Sequence, residues 1–416
     1  MRVRMVPVAQ FSRMIEEGER IGIAACITHI LRNDHLAEGG NPSGAAYLNP
    51  DLHTVSMLPC PDSRHQLQIL AGFVRQDGIP IPECPRQKLV DLTDVLDDKY
   101  GVYVLVGYEI EVVFLSDHDQ QADDTSPETN HSWSAITSDV RAKLPMVEDI
   151  VRNLLKAQVP IQQYHAEAAP GQWEIVLPPK RPLEAVDTLI RAREIISLVA
   201  QSHGYRATLH PRPYSDHAGT GAHVHLSVNP IERSQCGIVN APNTDPFFAG
   251  ILSHFPSLMA FCLPLDVSYE RAVSGIWSGG EYVSWGWQNR ETALRRIALN
   301  RFELKLHCGT ANPYVSLAAI LAAGIDGLQK GTPLTAGDCQ GVPTEMTEEQ
   351  RTAMGISMKI PRNLEASLEH LQVDTSLRQG LGEAYVAAYV AVTKEWNEHV
   401  SKMDPDYRRR WLLQTY

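Results

Sequence analysis

Gly107-Tyr108-Glu109-Ile110-Glu111-Val112-Val113-Phe114 lies within Val102 to Leu115 (VYVLVGYEIEVVFL), a run so rich in β-branched and aromatic residues that it reads as a buried strand. Side chains two apart on a strand leave the same face, so Glu109 and Glu111 point together. Holding two carboxylates side by side is costly unless a cation sits between them. Taken alone, the pair fits a solvated strand face equally well.

On the N-terminal side, short apolar runs from Val3 to about Leu96 alternate with turns such as Asn41-Pro42-Ser43-Gly44 and Asn49-Pro50-Asp51. This pattern predicts a small β-rich domain, interrupted by one helix from Val8 to Glu17 and ending in an extended, Pro-rich connection from Ile79 to Pro85. On the C-terminal side, Ser116 to Thr137 reads as a polar loop. Val140 to Gln158 reads as a helix, with Pro145 as an alternative start. A strand near Glu174 to Leu177, a helix from Pro182 to His203 stopped by Gly204, and a strand at Ala207 to His210 follow. The Gly-rich segment Ala218-Gly219-Thr220-Gly221-Ala222 leads into an alternating strand, Ala222 to Val228. Beyond it come a helix around Phe247 to Leu263 and strands near Glu281 to Trp285, Thr292 to Ile297 and Arg301 to Leu306. A helix capped by Asn312-Pro313 runs to Leu328, and the tail from Thr375 to Lys402 is helical.

The 416 residues exceed one ordinary core and suggest two domains or one large unit with an appendage. With 44% hydrophobic and 21% charged residues the composition is that of a globular chain. A net charge of -12 and the lack of a basic stripe argue against nucleic acid as a partner. No run approaches the roughly 18 apolar residues of a membrane span, and the first ten residues do not read as a signal peptide. Seven cysteines without CxxC spacing fit reduced thiols, so a cytoplasmic location is expected.

Four further segments carry chemistry. His165-Ala166-Glu167-Ala168-Ala169-Pro170-Gly171-Gln172-Trp173-Glu174 sets two carboxylates around a turn. His223 and His225 share a strand face after the glycine loop; they fit metal ligands or hydrogen-bonded core groups. Arg290, Arg295 and Arg296, with Arg271 upstream, offer forked donors suited to phosphates or carboxylates. Glu303 and Lys305 alternate on the last strand. Taken singly, the acidic, arginine and Glu303–Lys305 segments also fit a solvated surface. Together the segments set hard oxygen ligands and one imidazole, without thiolates, toward a common face, which favours Mg²⁺ or Mn²⁺ and phosphoryl transfer.

In that order, GYEIEVVFL, HAEAAPGQWE, GTGAHVHLS, NRETALRRI and FELKLHCGTANPYVSLAAILAAGIDGL resemble the catalytic motifs of the glutamine synthetase family. The resemblance runs from about Val3 to the C-terminus. The PGQWE and WSGGEYVSWGWQNRE versions resemble its FluG-like and lengsin-like branch, of fungal type. It implies an α+β fold: a β-grasp-like N-terminal domain over residues 1–97, its first strand apparently truncated, then a catalytic domain over residues 98–416 whose curved antiparallel sheet is flanked by helices.

Carried over motif by motif, the resemblance implies one metal held by Glu111, Glu167 and Glu174 and a second held by Glu109, His223 and Glu303. His225, Ser227 and Arg295 match ATP-binding positions, and Arg290 matches a catalytic arginine on the ATP phosphates. Arg271 matches the arginine that grips the substrate carboxylate, with Gly219 and Lys305 in the same substrate pocket. The implied partners are ATP, glutamate, ammonia or a primary amine, two or more Mg²⁺ or Mn²⁺ ions, and other copies of the chain in a ring.

Several positions depart from the family pattern. Trp277 stands where a flap glutamate helps deprotonate ammonium, with Glu281 nearby as a weak substitute; Ala218, Lys305 and the pair His307-Cys308 replace other substrate-side residues. The chain begins at Arg2-Val3-Arg4-Met5-Val6-Pro7, inside the strand that in the family carries an ammonium-binding aspartate. The expected activity is formation of a γ-glutamyl amide through a γ-glutamyl phosphate, from ammonia or from a primary amine. The alternative is a structural or developmental-signalling protein that retains the fold without catalysis.

Overall fold

The computed structural model describes residues 3–59, 66–116, 135–231 and 243–416. Helix α1 (Val8–Glu16) precedes strands β1 (Gly22–Ala24), β2 (Ala45–Pro50), β3 (Ser56–Leu58), β4 (Gln66–Gln68) and β5 (Ala71–Val74). These strands form an antiparallel sheet in the order β1-β2-β5 and a separate β3-β4 pair. The Pro-rich segment does not continue as an extended connection. Pro85 opens helix α2 (Pro85–Tyr100), which ends at Gly101 in the left-handed region, φ 64°. Leu89, Leu92 and Leu96 bury one stripe of α2, each contributing roughly 1.5–3 kcal/mol. The division at residue 97 therefore falls inside a helix.

Strand β6 (Val102–Ser116) is the spine of the second sheet. After it come α3 (Ser138–Lys156), β7 (Gln163–Ala166), β8 (Gln172–Val176), α4 (Pro182–Ser202), β9 (Tyr205–Thr208) and β10 (Val224–Pro230). The helical and sheet segments α5 (Asp245–Ser253), α6 (Phe255–Cys262), β11 (Trp285–Trp287), β12 (Leu294–Ala298), β13 (Arg301–Leu304) and α7 (Pro313–Lys330) complete the sheet and its cover. Short helices α8 (Glu348–Ala353), α9 (Leu364–Val373) and α10 (Thr375–Leu381), then α11 (Glu383–Ser401) and α12 (Pro405–Thr415), form the tail. The strand order is β11-β12-β13-β10-β6-β8-β7, with β9 also on β6. Pairing is antiparallel except at one edge, where β11 runs parallel to β12. The fold is thus the expected α+β arrangement, an antiparallel sheet flanked by helices.

Several element boundaries differ from expectation for visible reasons. Thr137 accepts a hydrogen bond from the Val140 N–H and starts α3, so Pro145 lies inside the helix. The helix expected over Phe247 to Leu263 breaks at His254, because Pro256 has no N–H to continue the ladder. The strand expected from Glu281 begins only at Trp285; Tyr282 makes an isolated bridge to Lys359. Residues 117–134 of the expected loop lie outside the described residues. Asn312 caps α7 by accepting from the Tyr314 N–H, as its sequence suggests.

Burial explains how this fold presents a site. Tyr108, Ile110 and Val112 of β6 are almost fully buried, and α2, α4 and α7 form part of the same core. The intervening Glu109 and Glu111 leave the opposite face. The five described cysteines are free thiols. Among the described residues, no helix is long and apolar enough to cross a membrane.

Candidate active site

Register aligns the charged groups in rows across the sheet. Glu111 lies directly opposite Glu174, which lies opposite His165; Arg295 lies opposite Glu303, which lies opposite His225. Like charges placed directly across a strand pair repel, so the Glu111–Glu174 pair needs compensation. Burial, and then the charges of Glu109, Glu111, Glu167 and Glu303, push the Glu174 carboxyl up to about 10. A divalent cation among these side chains would reverse that repulsion.

The cluster is held by short contacts. Glu109 accepts from His223 Nδ1 and His225 Nε2, each at 2.8 Å. Glu111 Oε2 accepts from the Gly221 N–H at 2.7 Å and from Gln172 Nε2 at 3.0 Å, while its Oε1 faces His223 Nδ1 at 3.6 Å. Glu303 is 1% exposed at its side chain and accepts from Lys305 Nζ at 2.9 Å and Arg295 Nη1 at 3.0 Å. Burial disfavours its charge, yet Lys305 and then His223 hold its carboxyl down to about 2. His165 Nε2 lies 3.2 Å from Glu167 Oε1 and 3.8 Å from Glu174 Oε1.

Ligand atoms come within 4.8 Å of one another in three sets: Glu109 with His225 and Glu303, Glu109 with Glu174 and His223, and His165 with Glu167 and Glu174. Five of the six residues expected as metal ligands fall in these sets, together with His225 and His165, and the sixth, Glu111, lies beside them with Oε1 3.6 Å from His223 Nδ1. Their grouping is not the two expected triads, because Glu111 is turned toward Gly221 and Gln172. The oxygen and imidazole donors suit Mg²⁺ or Mn²⁺. His165 was not singled out from sequence, although its spacing of two from Glu167 is the same same-face signal that marks Glu109 with Glu111.

Arg271 closes the cluster from the side. It is 2% exposed; Nε donates to Thr220 O and Nη1 to Lys305 O, both at 2.9 Å, and Nη2 lies 3.4 Å from His223 Nε2. The glycine loop permits this approach. A β-carbon on Gly219 would sit 2.3 Å from Pro211 O, and one on Gly221 would sit 2.4 Å from His223 Nε2 and 2.8 Å from Arg271 Nη2. Gly221→Ala is therefore expected to displace His223, weakening Mn²⁺ binding about tenfold in a calorimetric titration and costing about 1–3 kcal/mol of stability to denaturant.

The profile described as "Glutamine synthetase, catalytic domain" matches residues 82–411. The chain belongs to the glutamine synthetase family. It is 41% identical over 419 residues to "Protein fluG" of Emericella nidulans, covering 100% of this chain and 47% of that protein, so it spans about half of that relative's length. It is 27% identical over 423 residues to "Gamma-glutamylpolyamine synthetase GlnA3" of Streptomyces coelicolor, covering 97% of this chain and 88% of that one. A solved structure described as a "novel glutamine synthase homolog" superimposes with a TM-score of 0.81 at 22% identity, over 100% of this chain and 95% of that one, which shows the shared fold.

The remaining residues expected from the glutamine synthetase motifs lie around the cluster or beyond it. Ser227 follows His225 on β10, and its Oγ accepts from Asn229 Nδ2 at 3.1 Å. Arg295 also donates to Gln288 Oε1 at 2.7 Å. Arg290 is exposed and stands over the Trp277 ring, 5.9 Å from its centroid, rather than in the carboxylate cluster. Trp277 is 59% exposed on a loop whose Gly279 lies against Lys305, beside Glu303. Glu281 faces Arg362 Nη1 at 3.4 Å. His307 is fully buried with Nε2 2.7 Å from Ser316 Oγ; burial and then Arg193 hold its pKa down to about 3, so it is a neutral core group.

Proposed function

We propose that this chain is an ATP-dependent carboxylate–amine ligase that forms a γ-glutamyl amide through a γ-glutamyl phosphate, with a primary amine as acceptor. The observation that carries this reading is the gathering of five carboxylates and the His223 and His225 imidazoles on one sheet face beside Arg271, Arg295 and Lys305. By the family resemblance Glu111, Glu167 and Glu174 would hold one metal ion and Glu109, His223 and Glu303 another; His165 lies with Glu167 and Glu174 and could complete the first, and His225 lies with Glu109 and Glu303 and could complete the second. Two or more Mg²⁺ or Mn²⁺ ions would neutralise the charge of the transferring phosphoryl group. His225 and Ser227 line the nucleotide side, and Arg290 and Arg295 receive phosphate. Arg271 serves the substrate acid: three of its five N–H donors fix the glycine loop, Lys305 and His223, and the others remain for a carboxylate beside Gly219 and Lys305. Orientation and charge neutralisation then supply most of the rate. The same reading places the enzyme in the cytoplasm as a ring-forming homo-oligomer with a β-grasp-like N-terminal domain.

Trp277 favours an amine with an apolar body over ammonia, because an exposed aromatic face stands where a carboxylate would receive the proton of ammonium. Glu281, turned to Arg362, is badly placed to replace it. The similarity to a γ-glutamylpolyamine synthetase supports the same choice. ADP release with glutamate should be measured across ammonia, alkylamines, aromatic amines and polyamines. A primary amine is expected to give the highest kcat/KM, and Trp277→Glu to shift the preference toward ammonia by about tenfold. Highest turnover with ammonia would reject the acceptor assignment. Absence of ADP release with every amine, together with absence of Mg²⁺-dependent binding of an ATP analogue, would favour the structural or signalling alternative.

A further inference from the structure

Glu291 sits in the middle of the arginine-bearing motif but plays no part in the carboxylate cluster. It is 7% exposed, and both of its oxygens are engaged by one loop: Oε2 accepts from the Gly275 N–H at 2.9 Å and Oε1 from the Trp277 N–H at 2.8 Å. Both donors have left-handed backbone, φ +87° at Gly275 and +60° at Trp277. For tryptophan that conformation is unfavourable, so it persists only where the surroundings fix it.

The loop is clasped on its other side as well. The Gly279 N–H donates to Arg290 O at 3.3 Å, and a β-carbon on Gly280 would sit 2.5 Å from Glu291 O, so the two backbones lie in direct contact. The anchor itself is tied down: the Glu291 N–H donates to Asn289 Oδ1 at 2.9 Å, while Asn289 Nδ2 donates to Cys339 O at 2.7 Å and Gly341 O at 2.8 Å. Above the backbone, the Arg290 guanidinium stands over the Trp277 ring, 5.9 Å from its centroid.

We infer that Glu291 is a positioning residue for acceptor selection, fixing Trp277 in place through two backbone hydrogen bonds to its carboxylate. The proposal rests on the reading that Trp277 faces the acceptor amine. The charge of Glu291 strengthens the two hydrogen bonds, and loss of charge weakens both.

The test uses the full chain labelled with 5-fluorotryptophan, the Trp277 signal being assigned by its loss in Trp277→Phe. In Glu291→Ala that ¹⁹F signal is expected to shift and sharpen, with Glu291→Gln intermediate; an unmoved signal in both variants overturns the positioning role. In parallel, the KM for the preferred primary amine is expected to rise about tenfold in Glu291→Ala with little change in kcat or in the KM for ATP, and the discrimination against ammonia to narrow. A moved signal with unchanged amine selectivity would overturn acceptor selection and the role of Trp277 on which it rests, while leaving the anchoring of the loop in place. If the wild type shows no amine-dependent ADP release, the ligase reading fails and the ¹⁹F signal still decides the anchoring. Glu291→Gln covers the case in which the alanine variant fails to fold.

Discussion

Glu303→Ala is expected to lower stability by about 3–5 kcal/mol, read from urea or guanidinium unfolding, and to abolish Mg²⁺-dependent ADP formation. The stability loss arises because Lys305, 3% exposed, and Arg295, 15% exposed, would keep their charges without the carboxylate that compensates them. Removing one member of a buried pair leaves the other's desolvation cost unopposed. Replacing both partners would cost much less, so the double variant Glu303→Met, Lys305→Met is expected to recover part of the loss but none of the activity. The sign with pH follows from the depressed carboxyl. Its folded-state value of about 2 lies below the ordinary 4.5, so the wild-type advantage is fully present above 4.5 and closes as the pH falls toward 2. A gap that instead widened on acidification would contradict the assignment of Glu303 as the ionised partner of Lys305.

Glu111→Gln is expected to reduce metal-dependent ADP formation by at least roughly 10³-fold. Glu111 Oε2 receives the Gly221 N–H and Gln172 Nε2 together, so an amide there must turn its own donor toward one of them or swing its oxygen away from the metal face. Calorimetric titration with Mn²⁺ supplies a readout independent of turnover, and a lost or weakened binding event is expected. Unchanged turnover and unchanged titration would remove Glu111 from the metal site. Glu109→Gln should behave differently in one respect: each of its oxygens serves a separate imidazole, so the amide leaves His223 or His225 facing a donor, and its effect on stability should exceed that of Glu111→Gln.

What could be read from the sequence followed the strength of local signals. The β-branched run of β6 and the i, i+2 carboxylates within it were legible, as were the caps of α4 and α7, because each depends on neighbours in the chain. Helix α2 is less legible, because Pro85 fits the end of a Pro-rich extension as well as a first helical residue, although Leu89, Leu92 and Leu96 mark one face at helical spacing. The break at His254 was also visible in principle, in the missing donor of Pro256. The site was legible as a set of residues but not as an arrangement. Whether Glu111 meets Glu167 or is turned aside by Gln172 depends on the register of β6 with β8 and on the glycine loop, neither of which leaves a local trace. The position of Arg290 over Trp277 likewise depends on how Glu291 clasps the preceding loop.

Strand β6 carries one further implication. Its two faces are incompatible environments: Tyr108, Ile110 and Val112 belong among the helices, and Glu109 and Glu111 beside polar donors from His223, His225 and Gly221. Pairing β6 one residue out of step would exchange them, driving two carboxylates into hydrocarbon and baring three large apolar groups. Such a chain has no stable, folded but inactive form to rest in. Errors in synthesis or folding at this strand should therefore surface as insoluble or rapidly degraded protein, and the population that stays soluble is, by the same chemistry, screened for a correctly assembled carboxylate face.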